Sequence, residues 1–194
     1  MSALGSNARA GHAPSALALV CVAITGCAAT PRSTRLTPRD IQEMSVRVAQ
    51  SLATSEALQT RSPQSEPWSV TVSEVQNLSH DVISEGERWG VMAGIVSSLP
   101  VRELWDQRRV RLLLPAERVA SLRRSLGADA DSFAAQRRPT HVIRATFRSL
   151  PRSDGRASSE LYDCLFEMVE LDSGRLVWRD HVEYKREASG HVWD

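Results

Sequence analysis

Near the end of the chain stands Leu171-Asp172-Ser173-Gly174-Arg175, between two runs of β-rich residues, 160–170 and 175–184. Glycine occupies the position where a three-residue hairpin needs positive φ, a backbone region that other residues enter only at a cost. The two runs must therefore fold back on each other as antiparallel strands. A third β-rich run, 141–147, precedes them across a turn-like segment at 151–159. The last third of the chain is thus predicted to be an antiparallel meander, and the rest must supply what covers it.

The upstream sequence supplies helices. Thr37-Pro38-Arg39-Asp40 reads as a helix start, with threonine as N-cap, proline in the first helical position and aspartate three residues after the cap. Ile41, Met44, Val48 and Leu52 follow at helical spacing, so an amphipathic helix is predicted to about residue 58. Residues 59–67, with two prolines, read as a loop. Residues 68–75 alternate and read as a strand; 77–84 read as a polar loop. A second helix is predicted over 85–98, although Gly90 and Gly94 weigh against it and Pro100 cannot prolong it. Residues 109–114 read as a short strand. Pro115 opens a third helix, with Val119 and Leu122 facing inward and Gly127 as its C-terminal cap.

The first 26 residues read differently. Residues 16–24 form an apolar core too short to span a bilayer, behind a polar stretch carrying Arg9, as in a secretion signal. That core ends in Ile24-Thr25-Gly26-Cys27, small residues before a cysteine, a pattern that resembles the lipobox of bacterial lipoproteins. The resemblance implies lipidation of Cys27 and cleavage before it. The predicted organisation is a signal peptide over 1–26, a short tether over 27–36 and one globular domain over 37–194. Ala28, where enteric inner-membrane lipoproteins carry aspartate, points to the outer membrane, with the domain facing the periplasm and anchored by lipid.

Composition narrows the function. With 42% apolar and 24% charged residues the chain suits a folded domain. Without Arg9 its basic and acidic residues balance, so no strong field attracts nucleic acid, and no nucleic-acid partner is expected. Five scattered histidines and no Cys-x-x-Cys pair give no metal-ligand spacing, and no cofactor or metal is expected.

No nucleophile elbow, zinc-protease helix, phosphate loop or dinucleotide fingerprint is present. The chemistry-bearing residues are weighed singly. Asp129 and Asp131 read as turn solvation sooner than as paired acids or calcium ligands. Alternation places Glu160 and Glu170 on one strand face and Glu167 on the other, which does not favour a catalytic pair. Cys164 shares its parity with Phe166 and Met168 and reads as a buried, inert thiol. His141, at a strand start, has no identifiable orienting partner. The run Arg108-Arg109-Val110-Arg111 behind Trp105 is a basic patch or a solvated edge. Trp178 reads as core, and Trp193 as an aromatic docked back near the terminus. The expectation is no catalytic residue and no enzyme.

Four passages, in this order, resemble the LpoB-like lipoproteins, activators of a bifunctional penicillin-binding protein. They are the strand 69–77 ending Val75-Gln76-Asn77; the strand-to-helix passage 110–118, continuing to Leu126-Gly127; the strand opening Thr140-His141-Val142-Ile143; and the hairpin 168–178 ending in Trp178. The resemblance implies an α+β fold, related to the N-terminal domain of TolB, with an antiparallel sheet of four or five strands and helices mainly on one face. It implies an envelope lipoprotein that binds and regulates a peptidoglycan synthase, its partner a bifunctional penicillin-binding protein or another envelope protein. The alternative is a structural or assembly lipoprotein of an envelope or secretion complex; a cell-wall hydrolase ranks third.

Overall fold

The computed structural model describes residues 33–115, 118, 138–153 and 157–189. Helix α1 (Pro38–Ala53) starts on the predicted capping box. The Thr37 amide donates to Asp40 Oδ2 at 2.7 Å, and the Asp40 amide donates to Thr37 Oγ1 at 3.3 Å. Both bonds satisfy amides that the first helical turn leaves without partners. Met44, Val48 and Leu52 are buried along one face. The helix breaks at Thr54, and a single turn, α2 (Glu56–Gln59), buries Leu58.

Strand β1 (Trp68–Val72) is shorter than the alternation suggested. A second strand, β2 (Gln76–Leu78), follows where a polar loop was expected. Helix α3 (Glu85–Ser98) has the predicted span and opens on a capping box of Ser84 and Glu87. Helix α4 (Val101–Arg108) goes beyond the expectation from sequence: Pro100, which cannot prolong α3, stands as the N-cap of a new helix. Arg109 ends α4 in the left-handed region at φ 57, and β3 (Val110–Leu112) follows. The third predicted helix lies outside the described residues beyond Pro115 and Arg118.

The sequence then runs through β4 (His141–Ser153), β5 (Ala157–Glu170) and β6 (Leu176–Ser189). As predicted, these three form an antiparallel meander, with Phe147 opposite Cys164 and Cys164 opposite Val182. Gly174 closes the last hairpin at φ +70. Its amide donates to the Glu170 carbonyl at 2.9 Å. β4 is longer than predicted because Pro151, read as a turn residue, sits inside it. Proline lacks an amide donor, but beyond Arg148 the strand has β5 as its one described neighbour, so a missing donor on the open side costs little.

The fold is α+β with helices on one face of a sheet ordered β3-β1-β4-β5-β6, with β2 also paired to β4. The sheet is mixed where an antiparallel one of four or five strands was expected. β1 pairs in parallel with both β3 and β4, and β2 pairs in parallel with β4. The physical reason is the connection: α3 and α4 separate β1 from β3, and a crossover of that length returns a strand in the same direction.

Alternation on the meander builds the core. Ile143, Ala145, Phe147, Tyr162, Cys164, Phe166, Met168, Trp178 and Val182 face the helices and are buried. Trp178, placed in the core by the sequence, is 7% exposed and pairs across with Met168.

Gly94 marks the crossing of α1 and α3. A Cβ there would lie 2.7 Å from Ser45 Oγ and 3.0 Å from Ser45 Cβ. Ser45 cannot easily yield, because its hydroxyl donates to the carbonyls of Ile41 and Val91. At Gly90, one turn earlier, an added Cβ meets nothing within 4 Å. We therefore expect Gly94→Ala to destabilise the domain by about 1–3 kcal/mol through overpacking. Gly90→Ala should stabilise it by about 0.5–1 kcal/mol through helix propensity. Thermal denaturation of the two variants side by side checks the opposite signs.

Candidate functional site

The three strand glutamates are not brought together. Glu160 and Glu170 lie near opposite ends of β5, about 33 Å apart along an extended strand, and Glu167 points to the other face. Glu167 is buried under two guanidinium groups, Arg144 at 2.8 Å and Arg179 at 2.6 Å. Burial opposes its ionisation, but hydrogen bonds from Arg179 and Arg144 outweigh that and hold its carboxyl below the usual range. This arrangement ties three neighbouring strands across the outer face. Glu170 accepts from Ser173 and Arg175 and so braces the hairpin.

Glu160 belongs to a polar cluster the sequence did not reveal. It is 5% exposed, faces Arg186 across the β5–β6 pair, and accepts from Thr34 Oγ1 at 3.4 Å. The hydroxyl of Tyr162 donates to Asp81, and burial followed by that bond pushes the Tyr162 phenol upward. Arg35 approaches Asp81 at 3.9 Å, and Arg186 approaches Asp40 at 3.6 Å. Buried Thr34 and partly buried Leu36 thus pack directly on the domain. The cluster joins residues 34, 40, 81, 160, 162 and 186, a separation in sequence that no local motif could signal.

His141 is 1% exposed and packs on Trp68 with ring centroids 4.1 Å apart, and Arg61 lies over the same indole at 3.8 Å. Its Nδ1 lies 2.8 Å from Thr140 Oγ1. Burial holds its pKa below 6.5; Glu170 works against this, while Arg61 and Arg175 reinforce it. A histidine kept neutral by folding contributes stability that is present above the unfolded pKa and lost as pH falls through about 6.5. We expect the urea midpoint to decline from pH 6.5 to 5.5 more steeply in the wild type than in His141→Phe. Parallel declines would show that this ring does not titrate as described.

Cys164 is fully buried, and burial, then Asp163, pushes its thiol up to about 12. A water-soluble thiol reagent should label Cys164 slowly in the native chain and at the ordinary rate in denaturant; rapid native labelling would contradict its burial.

The basic run is structurally engaged. Arg108 donates to the carbonyls of Gln59 and Arg61 at 2.9 Å. Arg109 and Arg111 stack on Trp105 at 4.5 and 4.2 Å. Cys27, Asp129, Asp131 and Trp193 lie outside the described residues. Among the described residues no group of three or more His, Cys, Asp or Glu is placed to hold a metal ion. Nor is any helix among them long and apolar enough to cross a membrane.

Among the described residues, a groove of about 550 Å³ beside α3 is suited to a partner. Gly86, Gly90, Ala93 and Ser97 form one wall at helical spacing, with Trp89 and Val96 beside them. Leu113, Leu114 and Pro115 form the other wall, and Val72 contributes to the lining. Arg118 lies over the Trp89 ring at 4.7 Å, so a cation meets an aromatic at the rim. Leu114 is 53% exposed although its side chain is apolar. The small residues on α3 leave its backbone open to close approach, and the remaining lining is apolar or aromatic. Such a surface can bind an apolar segment with one polar anchor.

The class so defined is an α+β domain with a mixed sheet, helices on one face and an apolar groove beside α3. No family model matches the chain, and no curated protein matches it. Among solved structures it is similar to the C-terminal domain of LpoB from Salmonella enterica, with TM-score 0.42 and 8% identity, covering 75% of this chain and 98% of that one. It is similar to the same domain from Escherichia coli, with TM-score 0.41 and 11% identity over the same shares. It is also similar to the lipoprotein GNA1162 from Neisseria meningitidis, with TM-score 0.38 and 17% identity, covering 62% of this chain and 84% of that one. At these scores and identities the likeness carries no functional residue across.

Proposed function

We propose that the chain is a lipid-anchored, periplasm-facing lipoprotein of the outer membrane that binds and regulates a peptidoglycan synthase without itself performing chemistry. The observation that carries the reading is the groove: largely apolar on both walls, opened on α3 by Gly86, Gly90 and Ala93 beside Trp89 and Val96, and rimmed by the Arg118–Trp89 contact. The lipobox-like Ile24-Thr25-Gly26-Cys27 supports the anchor, and the four passages resembling LpoB-like lipoproteins support the class of partner. An activator of this kind makes better contacts with the active state of its partner than with the idle one, and so shifts the population toward it.

The strand glutamates fit the same reading, since Glu167 and Glu170 are engaged by arginines that hold the sheet and the hairpin. Cross-linking in intact envelopes, followed by mass spectrometry of the attached peptides, tests the proposal. Peptides of a bifunctional penicillin-binding protein joined near α3 are the expected result. Peptides only from a secretion or assembly complex would replace this reading with a structural one.

A further inference from the structure

We infer that β6 is a self-association strand, through which two copies of this chain join edge to edge into one continuous antiparallel sheet. β6 spans 14 residues and has β5 on one side and no strand on the other among the described residues. The Ser73 amide donates to the Ile143 carbonyl at 2.9 Å, so odd residues of β4 face β1. Through the β4–β5 and β5–β6 registers, even residues of β6 then face β5, and the His181 amide donates to Asp180 Oδ1 at 2.8 Å. Along this stretch the odd-numbered residues therefore direct their backbone amides and carbonyls to the open edge. A long, unpaired edge of this kind is a template for another strand.

Charge selects the second copy as the occupant, and it selects one register. The outer face of β6 carries His181, Glu183, Lys185 and Glu187 in succession, all exposed and paired within the strand, His181 with Glu183 and Lys185 with Glu187. Consider a two-fold pairing centred on Tyr184. Glu183 then faces Lys185 of the second copy and His181 faces its Glu187, each pair occurring twice by symmetry. Centring on Glu183 sets that residue against itself and His181 against Lys185. Centring on Lys185 sets it against itself and Glu183 against Glu187, and centring on Val182 sets Arg179 against Lys185. Opposed unlike charges stabilise antiparallel pairs and like charges destabilise them. Only the Tyr184-centred register among these four avoids every like pair.

That register also satisfies the backbone. Odd residues face odd residues, which makes them the hydrogen-bonded pairs, and Tyr184 meets its copy in a non-hydrogen-bonded pair, where Cα atoms lie about 4.5 Å apart. Asp180 must release the His181 amide for the new ladder to form, so its carboxylate acts as a guard on the edge.

The test uses the purified full chain in two measurements. The first is sedimentation of four forms: wild type, Glu183→Lys, Lys185→Glu and the double swap. All the changes lie on exposed positions. Each single reversal should raise the dimer dissociation constant roughly tenfold by facing like charges across the join, and the double swap should restore it. The second is oxidation of Tyr184→Cys, which should give a disulfide-linked dimer that the parent chain, with the same other cysteines, does not form. A chain that stays monomeric at all concentrations, or a dimer indifferent to both reversals and not trapped at position 184, would overturn the inference. Neither result bears on the synthase proposal, whose site lies beside α3.

Discussion

Phe166→Ala should lower the stability of the domain by about 3–5 kcal/mol, the usual cost of emptying a buried phenylalanine site. Phe166 is fully buried in the middle of β5, opposite Ala145 on β4 and Asp180 on β6. It meets Phe147 edge to face, with ring centroids 6.0 Å apart and planes at 73°, a geometry that adds about 0.5–1.5 kcal/mol beyond area alone. The neighbours opposite are small or polar, so little can collapse into the space. For a chain of this size the melting temperature should fall by roughly 10 °C. Leu150→Ala, at a position 64% exposed on the same sheet, should change stability by no more than about 0.5 kcal/mol. Chemical denaturation of both variants checks the contrast; equal losses would mean that the meander's inner face is not the centre of the core.

Gly90→Leu should leave the domain folded and remove its affinity for the partner by roughly thirtyfold or more. The folded state has room, since a Cβ at Gly90 meets nothing within 4 Å, and leucine is the better helix former. The same openness makes the substitution damaging to binding, because the side chain enters the groove between α3 and Leu113–Leu114. A filled pocket excludes the partner's anchoring side chain, whose contacts at a hot spot are worth about 2 kcal/mol or more, and each 1.4 kcal/mol is tenfold in affinity. Circular dichroism and melting temperature control for folding, and titration of a labelled synthase reads the affinity. Unchanged affinity with the groove filled would move the interface elsewhere on the domain.

The contrast between Gly90 and Gly94 shows what could be read from the sequence and what could not. Both glycines counted against a helix at 85–98, yet the helix forms over that span because Val91, Met92 and Ile95 are buried and Ser84 caps it. One glycine, Gly94, admits Ser45 from the distant helix α1, and the other borders the groove, but nothing local distinguishes them. The Gly174 turn and the Thr37 capping box were legible because each is decided within five residues. Parallel pairing of β1 and of β2 with β4 was not, since it depends on what the intervening helices bring back together. Pro151 misled for a related reason: its cost depends on whether β4 has a neighbour on that side. The same holds for function. Burial of Cys164 followed from its parity with Phe166 and Met168, whereas the cluster of Thr34, Asp40, Asp81, Glu160, Tyr162 and Arg186 needs the whole fold to assemble.

The proposed function requires the domain to act on a synthase by contact through the groove. Its most direct test measures glycan polymerisation by the purified bifunctional penicillin-binding protein of the same cell, with and without this chain. The wild-type chain should raise the polymerisation rate, and Gly90→Leu, equally folded, should not at the same concentration. An unchanged rate with the wild-type chain bound would contradict regulation, and equal stimulation by wild type and Gly90→Leu would contradict the groove as the site.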